Sequence, residues 1–478
     1  MPRYVSDNRA QTLFVNGSLD GLLPDNSVAR LVWAALEQLD FGPFDAVYKN
    51  DETGRPAVEP RRLAAVWILA LLRGGMPSLD LERQCERDLE FRWLLGDAPV
   101  KKSTLCAFRT GHLEALTDLG AQVLAALGRG DLLPGKSMGV DGSMIRAAAS
   151  CRAVRSRERM EKRLNRLKKV IAQKLEESDA PEEKTAKTLE HKLNRLERAL
   201  QEMDALGRTD PKDCITVSEP EADRRKLKTG GFGPAYNVQV AADLDSGALV
   251  HAEIVQQGND EGQLAPQLEQ AQDALDAALD KNAAPIQSAA ADSGYHNRKQ
   301  LAALEENGIR CFVPEDRAKN RKPKGVSEEF VGDAFEYEAD TDTMRCPAGQ
   351  TLRRRKLNND KTSVVYQAPK AVCHACPNKP QCCPQTKEGR SVNRPVEAEL
   401  LSELAQRLET PEGRRMRTAR WCVVEGVFAR IKGLLGWTRC RTWGLKGAQA
   451  ELKWHQLTHN LCLLTGIWQP MSQTAAAA

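Results

Sequence analysis

The sequence has no hydrophobic run long enough to cross a lipid bilayer. Its longest apolar stretch, residues 63–72, is about half of what a membrane-spanning helix requires. The N-terminus lacks the basic, apolar and small-residue segments of a secretory signal peptide. The 13 cysteines follow no spacing typical of a secreted disulfide scaffold, which suits a reducing compartment. These absences predict a cytoplasmic protein with no membrane partner.

An excess of one charge sign is also missing. The formal net charge is only +4 and 28% of residues are charged, which is too ordinary to identify a polyanionic partner. Basic residues are clustered locally, at 317–324, 353–356, 414–420 and 439–446, and the last two clusters flank Glu425. Most charge runs are solvated faces, but cations on both sides of a candidate acid favour a nucleic-acid partner.

A length of 478 residues predicts two or three domains. Residues 1–130 have helical periodicity, which predicts a helical N-terminal domain that is either a structural bundle or a unit binding DNA ends. Residues 151–209 are highly charged, with apolar residues spaced by three and four. This spacing predicts an inserted antiparallel coiled-coil hairpin that turns at 178–183, around Pro181. The hairpin is interpreted as self-contained, with dimerisation or DNA contact as alternatives.

Strand and helix patterns alternate on either side of this insertion, predicting an α/β fold. The predicted elements are a strand at 136–141 ending on Asp141, half-buried strands at 236–242 and 249–255, a helix, a strand at 286–292 ending on Asp292, a helix at 301–306 and a strand at 309–313. This order is that of an RNase H-like mixed sheet. Residues 131–150 and 210–325 are predicted to form the first part of this core, and residues 396–470 its C-terminal part.

A third acid lies on a predicted helix at 417–435. An apolar face made by Val424, Phe428, Ile431 and Leu435 would pack on the sheet. Glu425 and Lys432 would lie at the edge of that face, because seven residues are about two helical turns. The pattern therefore places a carboxylate and an ammonium at the rim of the sheet.

The three carboxylates of Asp141, Asp292 and Glu425 suit phosphodiester cleavage. The reaction needs an activated oxygen nucleophile on one side of phosphorus and a stabilised leaving oxygen on the other, and two Mg²⁺ ions provide both. Carboxylate oxygens are the ligands that Mg²⁺ prefers. Asp141 is the candidate bridging ligand, while Asp292 and Glu425 each complete one ion, and Mn²⁺ can substitute. One acid among 65 Asp and Glu residues is weak evidence, so the prediction depends on the set.

Several motifs resemble the DDE transposases of bacterial insertion sequences, and in particular the group numbered eleven-eighty-two, related to the IS-five and IS-four transposases. They are Asp141 in Val-Asp-Gly-Ser, Tyr236-Asn237-Val238-Gln239, Gly258-Asn259-Asp260, Ala291-Asp292-Ser293-Gly294-Tyr295 and Glu425 with Lys432. Residues 18–30 and 77–109 are similar to the helical N-terminal domain of the same group. The resemblance implies cutting at terminal inverted repeats and strand transfer of the 3′-ends into target DNA.

The family signature around the glutamate is Tyr-x2-Arg-x3-Glu-x6-Lys. Glu425 and Lys432 match its second half, so the role of the family lysine is implied for Lys432. The tyrosine and arginine positions hold Thr418 and Trp421. Arg420, one residue out of place, remains a candidate DNA-binding residue.

Aromatic and basic residues accumulate after the glutamate helix: Trp437, Arg439, Arg441, Trp443, Lys446 and Trp454. They could stack on splayed bases and pair with phosphates, with Arg439 and Arg441 as DNA-binding candidates. They could equally be core tryptophans and surface cations. His455 and His459 are one turn apart on a helix at 448–464, and a packed helix is favoured over a metal site because no third ligand is apparent.

Cysteines cluster within residues 326–395, which are predicted to be a cysteine-rich, zinc-binding insertion. Cys346, Cys373, Cys376 and Cys382 could close one structural tetrahedral Zn²⁺ site, with Cys383 as an alternative ligand and His374 as a weaker one. Buried or free thiols are the competing interpretation. Four thiolates leave no open position for substrate, so the predicted role is structural.

Together these features predict an enzyme, a Mg²⁺-dependent DDE transposase whose partner is DNA and which acts as a homo-oligomer, because two element ends must be held together. One alternative is an RNase H-like nuclease without strand transfer. The other is a catalytically inactive, zinc-containing DNA-binding derivative, against which the intact set of three acids argues.

Overall fold

In this computed structural model the described residues are 17–46, 57–177, 183–227, 230–279, 283–315 and 325–468. They form two compact units. The first unit contains the described residues up to Asn259, those of Glu269–Pro285 and those from Trp421 onward. The second contains Asp260–Leu268 and Ile286–Arg420. The predicted mixture of helices and sheets is confirmed.

The described residues of the first unit begin with the helices α1 (Leu19–Leu22), α2 (Val28–Glu37), α3 (Gly42–Asp45), α4 (Pro60–Leu72), α5 (Ser78–Arg87), α6 (Leu89–Leu95), α7 (Lys102–Gly111) and α8 (Leu113–Arg129). Helix α4 is buried nearly all round, as its continuous apolar sequence predicts, and Pro60 opens it. Asp88 caps α6 by accepting hydrogen bonds from the N–H groups of Glu90 and Phe91.

The chain continues with β1 (Ser137–Arg146), β2 (Val154–Ser156), α9 (Arg157–Glu177), α10 (Glu183–Ala205), β3 (Cys214–Thr216), β4 (Asp223–Lys226), β5 (Phe232–Asp243) and β6 (Leu249–Val255). Strand β5 pairs antiparallel with β1 on one side and with β4 and β6 on the other. The β5–β6 hairpin turns through Gly247, which has a positive φ. Strand β6 has the predicted bounds.

Two predicted properties of this sheet are wrong. Strand β1 does not end on Asp141 but runs to Arg146, because the residues after Asp141 pair with Ala235–Gln239 of β5. Strand β5 is not half-buried. Both of its faces are covered, and Asn237 and Gln239 are fully buried. These amides hydrogen-bond to each other and to the carbonyl of Gln257, which allows their burial.

Helices α9 and α10 leave from β2 and return to β3, and these two strands pair antiparallel. The apolar seam of the helices packs against β3 in a cluster of buried residues: Met160, Leu196, Ala199, Met203, Ile215 and Val217. Of the predicted turn at 178–183, residues 178–182, with Pro181, lie outside the described residues, and α10 begins at Glu183. Of the apolar residues at the predicted spacing, Met160 of α9 and Leu196 and Met203 of α10 therefore meet in this cluster.

Helix α11 (Leu264–Ala278) follows, and the second unit then contains β7 (Ser288–Ala290), α12 (Arg298–Glu306) and β8 (Arg310–Phe312). Strands β7 and β8 are parallel. The chain goes on through β9 (Glu336–Glu338), β10 (Thr343–Arg345), β11 (Thr351–Leu357), β12 (Ser363–Gln367), α13 (Lys370–Ala375), α14 (Lys379–Cys382), β13 (Ser391–Pro395) and α15 (Ala398–Glu409). These five strands form an antiparallel sheet in the order β13-β12-β11-β10-β9.

The glutamate helix, α16 (Pro411–Ala429), begins six residues before the predicted start. Thr410 provides the start, because its hydroxyl accepts a hydrogen bond from the N–H of Gly413 at 3.0 Å. The predicted helix to residue 435 is also interrupted, since Arg430–Leu434 form a π-helical turn. Helix α17 (Gly444–Leu464) then completes the described chain. Within the described residues, no helix has both the length and the apolar character needed to cross a membrane.

Candidate active site

Asp141 lies in the middle of β1 and is 8% exposed. Its Oδ1 accepts a hydrogen bond from the N–H of Gly142 at 2.8 Å. Side chains alternate along a strand, so Gly139, Asp141 and Ser143 share one face of β1. The surroundings of Gly139 and Ser143 therefore show what lies on either side of Asp141.

The segment that carries Glu425 packs on this face of β1. A Cβ added to Gly139 would lie 2.6 Å from Cγ2 of Val424 on α16, so only glycine allows this approach. The ammonium of Lys432, in the π-helical turn, donates a hydrogen bond to the hydroxyl of Ser143. Asp141 thus lies between two positions where α16 and its π-helical extension contact β1. Glu425 follows Val424 directly and is exposed.

Asp292 lies in the second unit, two residues after β7. It caps a short 3₁₀ turn, and its Oδ1 accepts a hydrogen bond from the N–H of Gly294 at 2.8 Å. The guanidinium of Arg420 is 4.0 Å from the other carboxylate oxygen of Asp292. A Cβ at Gly294 would lie 2.9 Å from Oδ1 of Asp292 and 3.7 Å from Oδ2 of Asp260. The absence of a side chain at Gly294 therefore leaves room for two carboxylates beside it.

Asp260 is an acid that the sequence analysis did not select as a site residue. It was quoted only within the Gly258-Asn259-Asp260 motif, and no periodicity placed it near Asp292. The sequence signal for Asp260 is its place in Gly258-Asn259-Asp260, which resembles the same family as the motif containing Asp292 and Gly294. The spatial proximity of Asp260 and Gly294 depends on the fold of the second unit.

Other buried acids of the first unit have structural partners. Asp243 accepts hydrogen bonds from the N–H groups of Gly135 and Ser246, and burial raises the pKa of its carboxyl. Glu219 accepts from the hydroxyl of Tyr236 at 2.8 Å and from the N–H of Ala149 at 2.8 Å. These carboxylates satisfy donors of the fold, which distinguishes them from the exposed Glu425.

The two candidate cations near the C-terminus contact the protein backbone. Arg439 donates hydrogen bonds to the carbonyls of Ala147, Ala148 and Ala149, directly after β1. Arg441 points to the carbonyl of Gly75 at 3.4 Å, and burial lowers the pKa of its guanidinium. Both arginines therefore connect the C-terminal segment to other parts of the first unit.

The C-terminal aromatic residues fall into two classes. Trp437 and Trp454 are buried, and their indole N–H groups donate to Glu451 at 2.9 Å and to the carbonyl of Arg109 at 3.0 Å. Trp443 is 60% exposed. The core interpretation therefore holds for the first two tryptophans, whereas Trp443 has a surface that a partner can reach.

His455 and His459 lie on α17, and both side chains are buried. His455 stacks on Trp437 and hydrogen-bonds to the carbonyl of Glu451 at 2.6 Å, while His459 bonds to the carbonyl of Gly247 at 2.9 Å. Burial lowers the pKa of both imidazoles to about 4. Their positions agree with the favoured interpretation, a packed helix.

Five cysteines of the second unit line one small cavity of about 30 Å³: Cys346, Cys373, Cys376, Cys382 and Cys383. Backbone N–H groups point at two of the sulfurs, from Gln350 to Cys346 at 3.3 Å and from Arg390 to Cys373 at 3.3 Å. Burial raises the pKa of the Cys382 thiol to about 11. Within the described part of the chain, no three His, Cys, Asp or Glu side chains are already arranged around one metal position.

Comparison with protein families identifies two matching segments. Residues 345–465 match the transposase DDE domain, and residues 17–111 match a transposase domain (DUF772). The first segment contains Glu425, Lys432 and the five cysteines of the cavity, and the second contains helices α1 to α7. No curated protein and no solved structure is found to match the chain. The two family matches together support the assignment of the chain to the DDE transposases of insertion sequences.

Proposed function

We propose that the protein catalyses Mg²⁺-dependent cleavage of DNA at the terminal inverted repeats of its element and strand transfer of the 3′-ends into target DNA. The observation that carries the proposal is the packing of α16 and its π-helical extension on the face of β1 that carries Asp141. This packing uses Gly139 with Val424 and Ser143 with Lys432. The matched DDE segment contains the same helix and its glutamate.

The donor chemistry of the three acids fits Mg²⁺, because Asp141, Asp292 and Glu425 offer only carboxylate oxygens. In this proposal Asp141 would be the shared ligand of a pair of Mg²⁺ or Mn²⁺ ions, and Asp292 and Glu425 would complete their carboxylate shell. Ions held there would supply activation of the attacking oxygen and stabilisation of the leaving oxygen. In this proposal Asp260, whose Oδ2 lies near Gly294, would orient Asp292 or its ligand shell.

Two cations assist the acids in this proposal. Lys432 is fixed by Ser143 on the Asp141 face, where its ammonium would pair with a non-bridging oxygen of the scissile phosphate. Arg420 lies 4.0 Å from Asp292 and would hold that carboxylate in a single orientation. In this proposal Arg420 orients Asp292. It does not take the role of the family arginine, whose position is occupied by Trp421.

An RNase H-like catalytic core fits the order of elements. β1 with its acid precedes the antiparallel β5–β6 hairpin, and the second unit continues with β7, Asp292, α12 and the parallel strand β8. We propose the domain limits given above for this core, and homo-oligomer assembly for holding two DNA ends. The cytoplasm is the proposed compartment.

We also propose that Cys346, Cys373, Cys376 and Cys382 bind one structural Zn²⁺. The shared cavity and the N–H groups directed at two sulfurs support this, because such hydrogen bonds favour thiolates. Cys383 lines the same cavity and is the alternative fourth ligand.

The catalytic proposal is tested with labelled element-end duplexes and a supercoiled target plasmid in Mg²⁺ or Mn²⁺. Wild type is compared with Asp292→Asn and Glu425→Gln, and Glu306→Gln, an exposed acid at the end of α12, is the matched control. We expect joined product from wild type and the control only. Cleavage without joining supports the nuclease alternative. DNA binding that needs no metal, with no cleavage, supports the inactive derivative.

A further inference from the structure

The base of the α9–α10 hairpin contains a strongly basic groove of about 630 Å³. Among the described residues, its lining carries six arginines and two lysines and no acidic residue. The cations come from three segments of the first unit: the chain before α9, helix α9 and helix α10. A groove with this lining has a strongly positive potential, because no lining carboxylate offsets eight cations.

Helical geometry explains how the cations converge. Arg159, Arg163 and Arg166 are spaced by four and three residues, so they lie in a row on one face of α9. Lys192 and Arg195 are three residues apart and form a second row on α10. The first row is about 10 Å long, which matches the rise of roughly three nucleotides along one strand of duplex DNA.

Most of the ion-paired acids near these helices contact cations outside the groove, and the exception is Glu158, which pairs with the lining residue Lys162. Glu197 pairs with Lys168 at 3.0 Å and Glu221 with Arg198 at 2.9 Å, and both of those cations lie outside the groove. Arg163, Arg166, Lys192 and Arg195 have no acidic group within ion-pair distance among the described side chains. Four of the eight lining cations thus lack an acidic neighbour among the described side chains, which leaves the groove with a net positive charge.

We infer that this groove binds the phosphate backbone of duplex DNA, outside the carboxylate site. The inference rests on the proposed function, which makes DNA the partner. Arginine outnumbers lysine among the lining cations, and its planar guanidinium donates two parallel hydrogen bonds to phosphate oxygens. The groove reads no base sequence, since phosphate contacts position DNA without specifying it.

The test measures binding of the full-length protein to a 30-base-pair duplex of arbitrary sequence, about three helical turns, as a function of salt. The groove variant is Arg163→Gln/Arg195→Gln, with one change on each helix. The matched control is Lys168→Gln/Arg198→Gln, which removes two cations of the same helices outside the groove. We expect the slope of log affinity against log salt to become shallower by about 2 in the groove variant only.

Affinity of the groove variant should fall about tenfold at moderate salt. Arg163→Lys/Arg195→Lys should restore most of the slope, which separates lost charge from misfolding. An equal change in the groove variant and the matched control overturns the inference, because total charge would then explain it. If the groove variant changes its oligomeric state but keeps the wild-type salt slope, the inference is also overturned. The groove would then contact a second copy of the chain and not DNA.

Failure of the proposed function is distinguishable from failure of the groove. If wild type neither cuts nor joins element-end DNA, but the groove variant still loses its salt dependence, the catalytic proposal fails and the groove stands. If wild type joins DNA and the groove variant binds with the wild-type slope, the groove fails and the catalytic proposal stands.

Discussion

The ammonium of Lys432 donates a hydrogen bond to the hydroxyl of Ser143, which lies two residues beyond Asp141 on the same face of β1. The two residues are 289 positions apart in sequence. Because Val424 meets Gly139 on the other side of Asp141, the glutamate helix contacts this face of β1 at two positions. The position of the cation is thus determined by the strand that carries the candidate bridging acid.

Lys432→Met should slow DNA cleavage by roughly 100-fold while leaving the thermal unfolding midpoint nearly unchanged. The variant removes a cation that would stabilise charge on the phosphate in the transition state. Ser143→Ala should have a smaller effect of several-fold, since it only frees the ammonium to move. Single-turnover cleavage of element-end DNA measures both. Lys212→Met, at an exposed lysine just before β3, is the control, and an equal loss there would contradict a local role for Lys432.

Gly139→Ala should destabilise the protein by about 1–3 kcal/mol, because its Cβ would lie 2.6 Å from both Val424 and Leu244. Val424→Ala should recover part of this loss in the double variant by vacating space. The thermal midpoint and the cleavage rate are the measurements. Gly120→Ala on α8 is the matched control, since a Cβ there meets nothing within 4 Å. Equal effects at Gly139 and Gly120 would exclude close packing of α16 as the cause.

The sequence predicted elements whose patterns are local. Strand β6 has the predicted bounds because apolar and polar residues alternate along its middle, and the apolar run at 63–72 lies within helix α4. The prediction that β5 is half-buried is wrong because Asn237 and Gln239 are polar residue types that usually face solvent, yet both are buried here. Their burial depends on partners, such as the carbonyl of Gln257, that no local pattern identifies.

The candidate site was predicted less completely than the fold. Glu425 lies on α16 and Lys432 in the turn that follows it, but the π-helical form of that turn has no local sequence signal. The strand position of Asp141 depends on pairing with β5, almost 100 residues later in sequence. The basic groove could not be predicted from local sequence either, because its cations come from α9, α10 and the chain before α9 and meet only in the folded structure.

Stability should fall as the pH drops from about 6.5 toward 4, partly because of His455 and His459. Burial lowers the pKa of both imidazoles to about 4, so the unfolded state binds protons in this window before the folded state does. Stability from these groups is complete above the unfolded pKa and is lost as the pH falls to the folded pKa. Thermal midpoints at pH 7.5 and 5 measure the loss.

His459→Gln should reduce this pH dependence, although it also lowers stability at pH 7.5 because its bond to the carbonyl of Gly247 changes. His191→Gln, at an exposed position on α10, is the control and should leave the pH dependence unaltered. An undiminished fall in midpoint for His459→Gln would show that other groups cause it.

Purified protein should contain about one Zn²⁺ per chain if the cysteine cavity is a structural tetrathiolate site. Cys376→Ser should reduce the zinc content severalfold and lower the thermal midpoint, because the loss of one thiolate leaves three ligands. Zinc is quantified by elemental analysis after removal of loosely bound metal. Cys106→Ser, at a half-buried cysteine of α7, is the control and should retain the metal.

Cys383→Ser decides which of the adjacent cysteines completes the site. Cys382 and Cys383 both line the cavity, yet a tetrahedral site needs only one of them with Cys346, Cys373 and Cys376. If Cys382 is the ligand, Cys382→Ser loses zinc and Cys383→Ser keeps it, and the reverse pattern identifies Cys383. Wild type without zinc, and a thermal midpoint that chelators do not change, would instead show that these thiols form an apolar cluster around the cavity.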